Sequence, residues 1–225
     1  IVNEIQYALD DLEQERKIKV LYACESGSRA WGFASQNSDY DIRFIYIHQP
    51  DWYLTIHNNR DVIEQTLEND LDISGWDIRK ALMLFRKSNP PLLEWLQSPI
   101  VYKQDEVFLE SLRQHIAQYY SPRSCMYHYL HMAEGNFREY LRGDIVRLKK
   151  YFYVLRPLLA CKWIETKEGP PPIEFDKLVS SVVTSESLRQ DIAKLQQQKR
   201  QGQELDKGLR IPSISIFILE ELERL

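Results

Sequence analysis

Glycine is scarce in this 225-residue chain: there are eight, and no stretch is compositionally biased, which excludes long disordered or low-complexity tracts. Cysteine is scarcer still. Cys24, Cys125 and Cys161 are odd in number, widely spaced and form no C-x-x-C pair, so reduced buried thiols are expected, not disulfides or a zinc site. No apolar run reaches the roughly 20 residues of a membrane span, and no signal-peptide pattern opens the chain, so a cytoplasmic location is expected. The sequence opens on Ile1, not Met, as expected where a short N-terminal piece is missing or processed. Positive charge is not in excess either: 29 Lys and Arg against 33 Asp and Glu leave a net charge of -4. Any contact with a polynucleotide must therefore use a local basic patch. What is present is globular: 44% hydrophobic and 28% charged residues, enough for a substantial core in one domain or two small ones.

The pattern along the chain predicts an α+β fold. Ile5, Ala8, Leu9 and Leu12 give residues 3–15 the spacing of an amphipathic helix. Lys17 to Ala23 reads as a strand, and Arg29 to Ala34 as a short helix after a Gly-Ser turn. Asp39 to Ile47 reads as a central strand, apolar on both faces after its carboxylates. His48 to Asn59 has no assignable pattern. Asp61 to Leu67 and Leu71 to Ile73 read as antiparallel strands joined at the turn pair Asn69-Asp70. Ser74-Gly75-Trp76-Asp77 has the form of a capping box opening a helix to Lys87, which Ser88-Asn89-Pro90-Pro91 ends before a further helical turn, Pro91 to Leu96. From Asp105 the pattern is helical almost throughout: about 105–116, from Pro122 to Leu141, Ile145 to Ile164, Glu186 to Gln201 and Ser213 to Leu225, with Gly169-Pro170-Pro171-Pro172 as a linker. The division is placed at residues 1–103 and 104–225.

Two short stretches concentrate the chemistry. Gly27-Ser28-Arg29-Ala30-Trp31-Gly32 forms a turn, and Ser38-Asp39-Tyr40-Asp41-Ile42-Arg43 opens the next strand with two carboxylates. Residues i and i+2 of a strand point the same way, so Asp39 and Asp41 share a face, with Arg43 following. Paired charges on an apolar strand call for a compensating cation, and carboxylate oxygens suit a divalent metal. A Gly-Ser turn can aim backbone N–H groups and a hydroxyl at phosphate oxygens.

Gly27-Ser28 followed by Asp39-x-Asp41, with Leu71-Asp72-Ile73-Ser74-Gly75-Trp76-Asp77-Ile78-Arg79-Lys80-Ala81-Leu82 and Asn89-Pro90-Pro91-Leu92-Leu93-Glu94-Trp95-Leu96 downstream, resembles the DNA polymerase beta-type nucleotidyltransferases. The likeness is to a bacterial branch of predicted nucleotidyltransferases linked to RNA repair, and it covers residues 15 to 100. It implies a small mixed β-sheet palm followed by a helical half. It also implies transfer of a nucleoside monophosphate from an NTP, ATP among the possible donors, to a hydroxyl acceptor, with two Mg2+ or Mn2+ ions. In that scheme Asp39, Asp41 and a third carboxylate hold metal, and Gly27 and Ser28 hold the β- and γ-phosphates. Asp72 is the expected third carboxylate, because it projects opposite Leu71 and Ile73; Asp77, which a capping role explains, and Asp70 stay open. Arg29 and Arg43 are expected either at the triphosphate or neutralising Asp39 and Asp41.

Lys80 and Lys87 share a helix face and would reach phosphate or solvent. Lys149, Tyr153 and Arg156 fall on one face of a helix, with Arg142, Arg147 and Lys150 close in sequence. They could stack a base and hold phosphates of a nucleotide or RNA, or form a solvated face over core tyrosines. His128 and His131 have metal-compatible spacing without a third ligand, and Trp31 either packs or borders the phosphate turn. The alternatives to an active enzyme are a non-catalytic nucleotide- or RNA-binding module of the same fold, or an antitoxin-type modifier of a protein or tRNA. The base preference, the acceptor and the oligomeric state are not encoded in these motifs.

Overall fold

A computed structural model describes residues 1–57, 59–67, 71–202 and 205–225. The chain divides into two compact units, residues 1–30 with 38–120 and residues 31–37 with 121–225.

The first unit is built on a mixed sheet. Helix α1 (Val2–Arg16) buries Ile5, Leu9 and Leu12, each contributing about 1.5–3 kcal/mol. Lys17 ends it in the left-handed conformation (φ 51°) and donates its N–H to the Glu13 carbonyl, so the following strand starts one residue later than the pattern suggests. That strand, β1 (Ile18–Glu25), runs two residues past Ala23 and delivers Glu25 to its end. The one-turn helix α2 (Gly27–Ala30) contains the Gly-Ser pair, where the sequence places the helix after it. Strand β2 (Tyr40–His48) begins after Asp39, which stays in the preceding loop; the expected shared strand face of Asp39 and Asp41 is therefore corrected. The unassigned stretch after His48 holds the short helix α3 (Pro50–Tyr53).

Strands β3 (Val62–Leu67) and β4 (Leu71–Asp77) pair antiparallel as expected, while the turn pair Asn69-Asp70 lies outside the described residues. β4 is longer than the three residues expected. Ser74–Asp77 continue the strand because β4 also pairs in parallel with β2, from Tyr40↔Leu71 to Tyr46↔Asp77, and two ladders hold it extended. Gly75 is required there: a Cβ would lie 2.3 Å from the ring of its β2 partner Phe44. The capping box is corrected accordingly. Asp77 is the N-cap of α4 (Ile78–Arg86), its carboxylate accepting from the Arg79 N–H at 2.9 Å.

Asn89 caps α5 (Pro90–Trp95) in the same way, and β5 (Val101–Gln104) completes the sheet order β3-β4-β2-β1-β5. One core joins α1 to Val20, Ile42, Phe44 and Ile73. Trp76 stacks on Trp95 at 3.9 Å, and the Tyr22 hydroxyl donates to the Trp95 carbonyl at 2.6 Å. Helix α6 (Glu106–Tyr119) stays with this unit, so the division follows Tyr120, not residue 103. Its N-cap Asp105 pairs with Lys19 of β1, and Arg113 donates to the Leu96 carbonyl.

The second unit is helical around a helix buried through its middle, from Tyr151 to Cys161 except at Tyr153. Pro122 starts α7 (Pro122–Tyr140) with Ser121 as N-cap. Ile145 does not start a helix: β6 (Ile145–Arg147) intervenes, and α8 (Lys150–Thr166) follows. α9 (Phe175–Val182), for which the sequence carries no assigned pattern, α10 (Glu186–Arg200), β7 (Lys207–Leu209) and α11 (Pro212–Arg224) complete it. β6 and β7 form an antiparallel ribbon. Phe152, Leu155, Leu158 and Leu159 of α8 pack with Phe175, Leu178, Ile192 and Ile218. All three cysteines are buried and unpaired with one another, and among the described residues no helix is long and apolar enough to cross a membrane.

Candidate active site

Strand β1 ends, α2 turns, and β2 returns beside it, so residues 25–28 lie against the start of β2. The Ser26 N–H donates to the Asp41 carbonyl at 2.8 Å, and the Asp41 N–H donates to Glu25 Oε1 at 2.8 Å. Gly27 has φ +56°, and a Cβ there would fall 1.9 Å from Asp41 Oδ2. Only glycine allows backbone and carboxylate this close. The turn and Asp41 are thus one piece of structure.

The parallel pairing of β2 with β4 puts Asp72 directly beside Asp41. Their oxygens converge on one nitrogen: Arg43 Nη2 donates to Asp41 Oδ1 at 3.0 Å and to Asp72 Oδ2 at 2.8 Å. Arg43 Nη1 also donates to the carbonyls of Ile42 and Asp72. The three side chains retain 30%, 44% and 20% of their accessible surface, so the cluster is open to a ligand. The register brings Asp72, and not Asp77, to Asp41. Asp77 is fully buried at the other end of β4, accepting from the Tyr53 hydroxyl at 2.6 Å as well as from Arg79. Asp70, the other alternative, lies outside the described residues.

Asp39 is exposed, one residue before β2. Its loop is fastened by Arg29, whose Nε donates to the Asp39 carbonyl at 3.2 Å and whose Nη2 donates to the Ser38 carbonyl at 2.7 Å. The Arg29 guanidinium also lies 3.6 Å from the centre of the Tyr40 ring. Among the described residues, no group of three or more His, Cys, Asp or Glu side chains is arranged to hold a metal ion. The donor pair Asp41 and Asp72 nonetheless fits one in chemistry and convergence: two hard oxygen donors aim at a single cationic point.

Sequence reasoning missed Glu25. It is completely buried, accepts from the Asp41 N–H and from the Tyr102 hydroxyl, and receives the Ser98 hydroxyl at its carbonyl. Burial pushes its carboxyl above the ordinary range, opposed by those two hydrogen bonds. The available signal was a carboxylate at the apolar end of β1, immediately before the Gly-Ser turn.

The remaining candidates are placed elsewhere. Lys80 pairs with Asp61 at 3.0 Å, and Lys87 is the C-cap of α4. Lys149, Tyr153 and Arg156 belong to the second unit. Arg156 is 2% exposed, with its guanidinium 4.9 Å from the Trp31 ring, so the expected accessible basic face does not include it. Trp31 packs edge-on to Tyr153. His131 Nδ1 lies 2.7 Å from the Tyr127 carbonyl, with no set of metal ligands around it or His128 among the described residues.

Comparison with known proteins identifies a family, a similar protein and a solved structure that aligns with the chain. The profile of the family described as "RlaP: RNA repair pathway DNA polymerase beta family" matches residues 1–225. A protein of Bacillus subtilis (strain 168), named "Uncharacterized protein YcgL", is 50% identical over 217 residues, 96% of this chain and 84% of that protein. A crystal structure of a nucleotidyltransferase-like protein from Exiguobacterium sibiricum 255-15 aligns with 98% of this chain and 75% of its own, at 12% identity and a TM-score of 0.37.

Proposed function

Because the chain belongs to the RNA repair pathway DNA polymerase beta family, we propose that it is a metal-dependent nucleotidyltransferase moving a nucleoside monophosphate from an NTP to a hydroxyl acceptor, an RNA end. The observation that carries this reading is the convergence of Asp41 and Asp72 on one cationic position beside the Gly27 turn. Asp41 and Asp72 would hold Mg2+ or Mn2+, with Asp39 contributing from its exposed loop. Two such ions, when bound, activate the attacking hydroxyl and stabilise the oxygen that leaves with pyrophosphate.

The protein's own groups prepare this site. Glu25 fixes the Asp41 backbone, and with it the strand position of the carboxylate. The Gly27-Ser28 turn would take the β- and γ-phosphates on its N–H groups and hydroxyl. Arg43 neutralises the two acids and would transfer its guanidinium to the triphosphate as ions enter, keeping the local charge balanced. Arg29, stacked on Tyr40, holds the loop that carries Asp39. Lys80 would reach phosphate only after leaving Asp61. Three buried cysteines outside any disulfide suit a reducing cytoplasm, where this substrate is abundant.

The Arg43 bridge also favours a second reading. A guanidinium that permanently satisfies both acids would leave a non-catalytic nucleotide- or RNA-binding module. One experiment separates the two: incubation with each α-labelled NTP and Mg2+ or Mn2+, with and without RNA, following label and pyrophosphate. Catalysis predicts labelled RNA, reduced at least about 100-fold in Asp41→Asn and Asp72→Asn. Label on the protein itself or on another added protein would identify a protein-modifying enzyme instead. NTP binding without turnover on any acceptor would leave the binding module standing.

A further inference from the structure

The β6–β7 ribbon of the second unit places like charges opposite each other. Arg147 and Lys207 are direct cross-strand partners, an arrangement that costs stability unless an anion bridges it. On the same face, the next pair is Ile145 and Leu209, 65% and 78% exposed. The opposite face is turned inward: Val146 is buried, and Gly208 sits tightly against Leu148. The ladder continues into the start of α8, where Leu148 and Lys149 donate their N–H groups to the carbonyls of Asp206 and Leu205. Lys150 Nζ then lies over two rings, 4.2 Å from Tyr140 and 4.6 Å from Tyr153, and Arg147 lies 5.5 Å from Tyr140.

Among the described residues, Arg142, Arg147, Lys149, Lys150 and Lys207 have no ion-pair partner, while nearby Asp144 is taken by Arg210 at 2.6 Å. In a protein of net charge -4, five cations without an ion-pair partner among the described residues, with tyrosines and an exposed apolar pair beside them, form a local anion-seeking face. Aromatic and apolar faces that accept bases, alternating with cations that accept phosphates, suit a single strand better than a duplex.

We infer that the β6–β7 ribbon and the N-terminus of α8 form a docking surface for single-stranded RNA, with Arg142, Arg147, Lys149 and Lys207 on phosphates and Ile145 and Leu209 against bases. The choice of RNA among polyanions rests on the function proposed above. The affinity itself requires neither NTP nor metal.

Fluorescence anisotropy of a labelled 20-nucleotide single-stranded RNA on the full chain, from 50 to 300 mM salt, tests the surface. Four phosphate contacts predict a slope of log affinity against log salt of about -2.8. Arg147→Gln with Lys207→Gln should reduce it to about -1.4 and weaken binding about 25-fold at 0.1 M salt. Because the double variant relieves a repulsion, its melting temperature should be unchanged or higher. Lys177→Gln, removing an exposed cation already paired with Glu174, should leave RNA affinity unchanged. RNA affinity that is absent, or equal in the double variant and the parent, overturns the inference. So does equal affinity for polyphosphate, or binding to phosphatidylglycerol vesicles in preference to RNA. Transfer activity is read separately. RNA binding lost in the double variant, in a protein that transfers no nucleotide, keeps the surface and refutes the enzymatic reading. Transfer by a protein whose RNA affinity ignores the double variant does the reverse.

Discussion

Replacing Gly27 with alanine tests whether the turn and Asp41 are a single unit. The added Cβ would sit 1.9 Å from Asp41 Oδ2 with the backbone at φ +56°. The left-handed conformation costs a non-glycine residue about 1–2 kcal/mol. Displacing the carboxylate adds about 1–3 kcal/mol of overpacking strain. Together the loss is about 2–5 kcal/mol; its middle, about 3.5 kcal/mol, at a urea dependence of about 2 kcal/mol/M moves the unfolding midpoint of the first unit down by about 2 M. If Asp41 swings aside instead, stability is partly recovered, but the Arg43 contact and the converging oxygens are lost, so NTP binding falls. Gly32→Ala, in the second unit and read on that unit's own transition, is the control: φ is +91° there and nothing lies within 4 Å of the added carbon. It should show the conformational cost without the clash and without an effect on NTP binding. Urea unfolding by tryptophan fluorescence, with NTP titration of the same samples, reads both. Equal losses in the two variants, with NTP binding intact in each, would refute the close packing of turn and carboxylate.

Other outcomes follow from the same contacts. Asp77→Ala removes the α4 N-cap and leaves the half-buried Tyr53 hydroxyl without its acceptor. It should cost about 2–4 kcal/mol in chemical denaturation. Asp72→Asn, whose carboxylate is partly exposed, should cost far less and act on transfer instead; equal destabilisation would contradict this division of roles. Arg43→Gln should lower stability by about 1 kcal/mol in EDTA. Mg2+ should raise its melting temperature more than that of the parent, because the guanidinium that both carboxylates face is then gone. Glu25 gives a pH signature. Its carboxyl is raised by burial, so the stability it supplies is complete below the ordinary value of 4.5 and is lost as pH climbs through the raised value. The stability of Glu25→Gln relative to the parent should therefore increase between pH 4 and pH 8; a difference independent of pH would show that burial does not raise the Glu25 carboxyl.

The candidate site was legible because its chemistry is local. Gly27, Ser28, Asp39 and Asp41 lie within 15 positions, and Asp72 was singled out by alternation against Leu71 and Ile73. The parallel pairing that sets Asp72 beside Asp41 was not legible, since a β2–β4 crossover leaves no short-range pattern. The same pairing explains the error at Ser74–Asp77. Their capping pattern is real at Asp77, but two ladders outweigh the local preference for helix at the three residues before it. Glu25 is not legible because the apolar pattern of β1 stops at Ala23, and its partners Tyr102 and Asp41 lie 77 and 16 residues away. Periodicity put Arg156 on a face with Lys149, but only tertiary packing shows that face turning from solvent to Trp31 within two turns.

The central claim is that Asp41 and Asp72 work as a pair on nucleotide. Its most direct test is transfer of label from α-labelled NTP to an RNA 3′ end in Mg2+, comparing the parent with Asp41→Asn, Asp72→Asn and Asp77→Asn below their unfolding transitions. The account predicts transfer by the parent, loss of at least about 100-fold in the first two, and retained activity in the third. Activity that survives Asp72→Asn but is abolished by Asp77→Asn would contradict it.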